Sequence, residues 1–204
     1  MSLKKEMKST VSKTLYRIRG KGRGSVHITR DFLDLGTRAA VDQALSRLVQ
    51  RGHLRRLDQG IYDFPKMHPR LGALSPDPVA VAQAAARKAG CRIQVSGAQA
   101  ANALGMTTQV PARLVFLTDG ASKQIQLGAQ VIELRHAVPR NLTGAGRKSG
   151  VVIQALRHLG RKAVDAAVIG KLQATLSADD KVVLQADAAT APDWIKLVVA
   201  SIIA

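Results

Sequence analysis

The sequence contains a single cysteine, Cys91. One cysteine excludes an internal disulfide and a zinc site built from several cysteines. Without such cross-links, the fold must be stabilised by the packing of its apolar side chains. We interpret Cys91 as a small core residue and not as a catalytic thiol.

Aromatic residues make up only 3% of the chain. No apolar run reaches the roughly 18 residues needed to cross a bilayer, and the first residues lack the apolar core of a secretion signal. The apolar fraction of 46% is sufficient for one or two compact domains with cores of alanine, valine and leucine. We therefore expect a soluble, cytoplasmic protein with no membrane partner.

Acidic residues are scarce: 14 Asp and Glu stand against 31 Lys and Arg, which gives a formal net charge of +17. Residues 1–70 hold 16 basic and 6 acidic residues, a difference of +10, whereas residues 71–204 hold 15 and 8. An excess of this size attracts an anionic partner over long range. Nucleic acid bound mainly by the N-terminal part is the first expectation, and a generally basic soluble protein is the alternative.

No arrangement of residues typical of an enzyme is visible. The five histidines are scattered without a His-x3-His pair, and Asp179-Asp180 stands at a plausible helix start, where acids favour the helix dipole. Two glycine-rich segments, 20–25 and 144–149, lack the Gly-x4-Gly-Lys-Ser/Thr order of a phosphate-binding loop. We predict no catalytic residue, no metal and no cofactor.

A helix-turn-helix is predicted between Thr29 and Gly52. Residues 28–33 form a short capped helix in this interpretation, and Asp34-Leu35-Gly36 forms the tight turn. The second helix is capped by Thr37 and ends at Gly52. Its apolar residues recur on one face, and the opposite face carries Arg38, Asp42, Gln43, Ser46, Arg47 and Gln50. Such side chains can reach bases or phosphates from the major groove, although a solvated helix surface has the same composition.

The residues after this helix predict a small hairpin. The segments 53–57 and 61–64 flank Asp58-Gln59-Gly60, a loop whose glycine suits the left-handed position. With an amphipathic helix at 3–19, the hairpin completes a predicted winged helix. The predicted contacts to double-stranded DNA are Arg38, Gln43 and Arg47 in the major groove, Thr37 at the helix start, and Lys21, Arg23, Arg55 and Arg56 on phosphates.

Four prolines between Pro65 and Pro78 disfavour regular structure. We therefore place a winged helix-turn-helix domain at 1–66, a linker at 67–78 and a second domain at 79–204. Alanine-rich helices and three strand-like runs in the second domain predict a small, mainly antiparallel sheet with several helices, which makes the fold class α+β. In the last helix the residues expected on one face, buried on its own domain or in a dimer, are Trp194, Leu197, Val198, Ser201 and Ile202.

Several segments match a known bacterial family. In the first predicted domain they are 35–48, Arg51-Gly52, Arg56-Leu57 and 60–63. In the second they are Gly97-Ala98, Ala101-Asn102, Leu104-Gly105, 107–111 and 117–120. On these segments the chain resembles the AbiEi-type antitoxins of type IV toxin-antitoxin systems and the related prophage and plasmid regulators. The resemblance spans most of residues 1–140 and weakens after that.

The resemblance implies a transcriptional autorepressor whose winged helix binds inverted repeats in its own operator. We also consider self-association on the DNA. It also implies a C-terminal domain that counteracts a nucleotidyltransferase-like toxin, typically without a stable antitoxin-toxin complex. The residues alone leave two alternatives open: a basic adaptor that binds nucleic acid or protein, and an enzyme that processes nucleic acid. The enzyme is disfavoured because residues 71–140 contain only three acids, Asp77, Asp119 and Glu133.

Overall fold

The computed structural model describes residues 9–109 and 113–204, which form a mixed α+β fold. The chain folds into two compact units. The first extends to Ala89 and includes Ile125–Val131, and the second comprises Gly90–Gln124 and Ile132–Ala204. Every helix within the described ranges is too short or too polar to cross a membrane.

The first unit contains three α-helices, a 3₁₀ helix and short strands among its described residues. In chain order they are α1 (Thr10–Lys21), β1 (Val26–Ile28), the 3₁₀ helix (Thr29–Leu35), α2 (Arg38–Gln50), β2 (Arg55–Asp58), β3 (Ile61–Asp63), β4 (Met67–His68), β5 (Gly72–Ala73) and α3 (Pro78–Ala89). Strands β1, β3 and β2 form an antiparallel sheet in that order, with β3 in the centre. The predicted β2–β3 hairpin is confirmed, and Gly60 takes the left-handed conformation with φ 68°.

Helix α2 begins and ends as its sequence predicts. The Oγ1 of Thr37 accepts a hydrogen bond from the amide of Ala40 at 3.3 Å, which caps the first turn. Its apolar residues recur at helical spacing, so Val41, Leu45 and Leu48 are fully buried. They pack in one cluster with Ile18 of α1 and Phe32 of the 3₁₀ helix. This core fixes which face of α2 remains exposed.

The segment predicted as a linker is more structured than its prolines indicate. Strands β4 and β5 pair as a small antiparallel hairpin within residues 67–78. The following helix, α3, packs against β1 and β3, with Val81 and Ala82 fully buried. The small alanine side chains of α3 allow this close approach. Helix α3 therefore belongs to the first compact unit, whose N-terminal stretch extends to Ala89. The domain boundary at residue 66 stays a prediction.

The remaining elements contain a second sheet and a group of helices. They are β6 (Ile93–Val95), α4 (Gly97–Ala103), β7 (Leu114–Thr118), β8 (Lys123–Leu127), β9 (Gln130–His136), 3₁₀ turns at Pro139–Leu142 and Arg161–Ala163, α5 (Lys148–Leu159), α6 (Ala166–Thr175), α7 (Ala178–Ala188) and α8 (Asp193–Ile203). The strand order is β6-β7-β9-β8. Strands β6 and β7 pair antiparallel, whereas β7 and β9 pair in parallel, a pairing that the sequence did not predict.

The buried face of α8 differs from the predicted one. Ile195, Val199 and Ile202 are buried, at positions i, i+4 and i+7 of the helix. Leu197, which we placed on the buried face, is 67% exposed. For burial on its own domain the prediction is wrong at Leu197, because apolar residues occur nearly all round this helix. Periodicity alone therefore could not identify the side that packs against α5, α6 and α7. Burial of the predicted face in a dimer stays a prediction.

Candidate nucleic-acid interface

The exposed face of α2 is polar and lies opposite its buried stripe. At about 100° per residue, Ala39, Gln43, Ser46 and Gln50 occupy the middle of this face. None of the three polar side chains has a hydrogen-bond partner within the described part of the chain. Their amide and hydroxyl groups are therefore available to donors and acceptors on another molecule.

Arg38 and Arg47 lie on opposite flanks of this face, because they are nine positions apart and nine residues correspond to about two and a half turns. The Nε of Arg38 donates to Asp42 Oδ2 at 2.9 Å, in an exposed pair one helical turn apart. Such a pair stabilises a helix by only about 0.3–0.5 kcal/mol, so a stronger anionic ligand can compete with Asp42. The two arginines border the row centred on Gln43.

The predicted phosphate contacts do not form one group. Strand register places Arg55 and Val26 opposite Asp63, at one end of the three-stranded sheet. The other end carries the loop of Gln59 and Gly60. Arg38 lines a cleft with Gln59 and Gly60, so it belongs to the loop end, whereas Arg55 belongs to the opposite end.

Arg55 has a structural role that the sequence did not reveal. Its Nε and Nη2 donate to the two carboxylate oxygens of Asp63 at 3.0 and 2.7 Å, and Nη2 also donates to the Leu74 carbonyl oxygen at 2.7 Å. Asp63 is 1% exposed, and its carboxylate raises the pKa of Arg55. The guanidinium is thus committed to an internal anion. The contact of Arg55 with phosphate stays a prediction, and the neighbouring Arg56 is exposed.

Lys21 and Arg23 lie near the Asp63 end of the sheet. The guanidinium of Arg23 stacks 4.7 Å from the centre of the Phe64 ring, and its Nη1 donates to the Pro65 carbonyl oxygen at 2.9 Å. Lys21 is exposed at the end of α1. These two residues therefore belong to a basic group separate from that of Arg38, and their contact with phosphates stays a prediction.

Two basic residues beside Arg38 were missed. Arg30, in the 3₁₀ helix, and Lys88, near the end of α3, line the same cleft as Arg38. Both are exposed. Arg30 stands within the predicted helix-turn-helix and could have been selected as a basic residue of that motif. Nothing in the sequence around Lys88 indicates that α3 returns to this side of the unit.

His27 contributes no charge to this surface. It is buried, and its Nε2 lies 2.8 Å from the Oγ of Ser25. The only proton of that hydroxyl is donated to the Gly22 carbonyl oxygen at 2.6 Å, so Nε2 of His27 must be a donor. Burial lowers the pKa of His27 to about 4, with a smaller opposing contribution from Asp31. The imidazole is therefore neutral near pH 7.

The polar groups of the second glycine-rich segment, which precedes α5, are hydrogen-bonded within the protein. A methyl group at position 150 would collide with the Gly144 carbonyl oxygen, so Gly150 permits a close backbone approach. Asp187 of α7 accepts hydrogen bonds from Ser149 Oγ and from Arg147 Nη2, both at 2.6 Å. An internal carboxylate thus occupies the first turn of α5, where helix dipoles favour negative charge. Residues 9–109 and 113–204 also contain no cluster of His, Cys, Asp and Glu suited to a metal ion.

Asn102, in one of the segments that carry the family resemblance, has a structural role. Its Nδ2 donates to the carbonyl oxygens of Thr107 and Gln109 at 3.3 and 3.1 Å, which ties the segment after α4 back to that helix. Val110 and Pro111, the last two residues of the matched segment 107–111, lie outside the described residues. The residues from Asn102 to Gln109 therefore shape a local turn.

Comparison with known proteins identifies a family but no activity. No curated protein matches the sequence. The fold is similar to the crystal structure of the Rv2827c protein from Mycobacterium tuberculosis, with a TM-score of 0.44 and 16% sequence identity over 95% of this chain and 76% of that one. Residues 13–184 match the family of unknown function DUF6088. Since this match covers most of the sequence, the chain belongs to the DUF6088 family.

Proposed function

We propose that the first compact unit is a winged helix-turn-helix that binds double-stranded DNA and represses its own operon in the cytoplasm. The element order supports this interpretation, because a helix, a strand, two further helices and a two-stranded hairpin follow one another along the chain. The strand order β1-β3-β2 places the hairpin and β1 in one small sheet. In this interpretation α2 enters the major groove and the hairpin is the wing.

The observation that carries the proposal is the exposed face of α2. Gln43 stands in its centre, where its amide can donate and accept at the edge of a base, as glutamine does with adenine. We predicted Arg38 and Arg47 in the major groove, but their places on the two flanks suit them instead to the phosphates on either side of the groove. Thr37 is placed at the start of the helix, and its hydroxyl already caps α2. Arg56 would extend the contacts along the hairpin.

Replacing Gln43 by alanine should weaken binding to the selected operator by about 1–3 kcal/mol and change binding to random duplex little, because the loss falls on base recognition. Arg38→Ala and Arg47→Ala should weaken binding to operator and random duplex equally, because phosphates are the same in both. The measurement is fluorescence anisotropy with a duplex selected from a random pool.

Matched controls are Gln185→Ala and Arg161→Ala, which remove exposed side chains of the same types from the second unit. They should bind like the wild type. Equal losses for Gln43→Ala on both duplexes would remove the base contact from the proposal. The same duplexes should stay intact with and without Mg²⁺, since we propose a binding protein and not an enzyme, and cleavage would favour the enzyme instead.

The second part of the proposal is an antitoxin role, which opposes a nucleotidyltransferase-like toxin without a stable complex. Its support is the resemblance carried by segments such as Ala101-Asn102 and 107–111. We expect the neighbouring reading frame to encode such a toxin, and co-expression of this protein should restore the growth that the toxin arrests. The Gln43→Ala/Arg47→Ala variant should restore growth equally well, because we assign repression to α2 and opposition to the second unit. Failure of the wild type to restore growth would reject the antitoxin role alone.

A further inference from the structure

A cleft of about 400 Å³ opens on the first compact unit beside the N-terminal half of α2. It is formed by the 3₁₀ helix, α2, the hairpin loop and the end of α3. Thr29 and Arg30 contribute from the 3₁₀ helix, Arg38 from α2, Gln59 and Gly60 from the hairpin loop, and Lys88 from α3. The cleft therefore depends on residues that are far apart in the sequence.

The cleft is electropositive. Its lining includes three cations, Arg30, Arg38 and Lys88, and one carboxylate, Asp42, which is already bonded to Arg38. The ammonium of Lys88 donates to the Gln59 carbonyl oxygen, which holds it at the cleft and leaves two of its three protons available. Arg30 has no ion pair within the described residues. Most of the donors are therefore not used by the protein itself.

Two features of the cleft favour a small oxyanion. Thr29 is 5% exposed, and its Oγ1 has no hydrogen-bond partner among the residues that the structure describes. A buried hydroxyl without a partner is unfavourable, and an acceptor oxygen would satisfy it. Gly60 faces the same place: a Cβ there would lie 3.4 Å from Thr29 Oγ1 and 3.7 Å from Lys88 Cε. The glycine thus leaves open space beside both the Thr29 hydroxyl and the end of the Lys88 side chain.

We propose that this cleft binds a backbone phosphate of duplex DNA, with Lys88 and Arg30 as its principal donors. The inference rests on the proposed DNA-binding function and adds α3 to the interface. It places one strand of the DNA backbone between the hairpin loop and the flank of α2 that carries Arg38. The same oxyanion chemistry would suit inorganic phosphate, so the experiment must separate the two sources.

Lys88→Gln and Arg30→Gln should each weaken binding to selected and random duplex by the same factor, about fivefold at 0.15 M salt, because one phosphate contact is lost. Each should also reduce the slope of log K against log [salt] by about 0.9. The controls are Lys162→Gln and Arg161→Gln, which remove exposed charges from the second unit. They should leave affinity and slope unchanged.

If the wild type binds duplex and both variants retain its affinity and slope, the phosphate cleft is overturned while the proposed function stands. If the wild type binds no duplex, the proposed function fails and this inference fails with it. The second arm of the experiment titrates the protein with inorganic phosphate. Binding is followed through the backbone amide resonances of Thr29 and Gly60. Phosphate could shift these amide resonances in the wild type and not in Lys88→Gln, while duplex binding is the same in both. That result would assign the cleft to free phosphate and overturn the DNA contact.

Discussion

Replacing Arg55 by alanine is expected to lower the free energy of unfolding by about 3 kcal/mol, because it leaves the Asp63 carboxylate buried without its counter-ion. Asp63 is 1% exposed and receives two hydrogen bonds from the Arg55 guanidinium. The expected value is at the lower end for a broken buried pair, since Arg55 itself is 36% exposed and water can enter from its side. Urea unfolding followed by circular dichroism measures the change.

Arg56→Ala is the matched control, because Arg56 is the neighbouring arginine on β2 and is exposed. It should change stability by no more than about 0.5 kcal/mol. Replacing Arg55 and Asp63 together by leucine should recover part of the loss, since no unpaired charge is then buried. Equal stability of Arg55→Ala and Arg56→Ala would show that the ion pair does not support the sheet.

Lowering the pH from 7.5 to 5 is expected to cost about 2 kcal/mol of stability through His27 alone. In the unfolded chain this histidine titrates near its ordinary pKa of 6.5, whereas burial lowers the folded value to about 4. Between these values the unfolded chain binds a proton that the folded protein does not. The free energy of unfolding therefore falls as the pH is lowered through this window and levels off below about pH 4.

His27→Gln should flatten this part of the stability profile, because glutamine does not titrate and can still donate to Ser25. The absolute stability at pH 7.5 is a separate quantity, so the comparison is between slopes from urea unfolding at several pH values. The control is His68→Gln, which removes an exposed histidine of the β4–β5 hairpin. An unchanged slope in His27→Gln would contradict the buried, neutral imidazole.

The two arginines of β2 explain why the candidate interface could be only partly predicted. Arg55 and Arg56 are adjacent and chemically identical in the sequence, yet Arg55 faces the buried Asp63 and Arg56 faces solvent. Alternation along a strand predicts that the two side chains point to opposite faces of the sheet. It does not predict which of them meets an internal acid. In the sequence, Asp63 is simply a polar residue near a turn. The Arg55 guanidinium also donates to the carbonyl oxygen of Leu74, a residue 19 positions further along the chain.

The sequence by itself determined the helix from Arg38 to Gln50 with its cap, the hairpin with its glycine, and the basic excess of the N-terminal part. These features depend on residues within one or two turns of each other, so spacing and side-chain chemistry are sufficient to predict them. Only the tertiary structure decided the partner of Arg55, the buried face of α8, and the meeting of Arg30, Arg38 and Lys88 around one cleft. Those outcomes depend on which distant segments pack together, and local sequence patterns do not predict that packing.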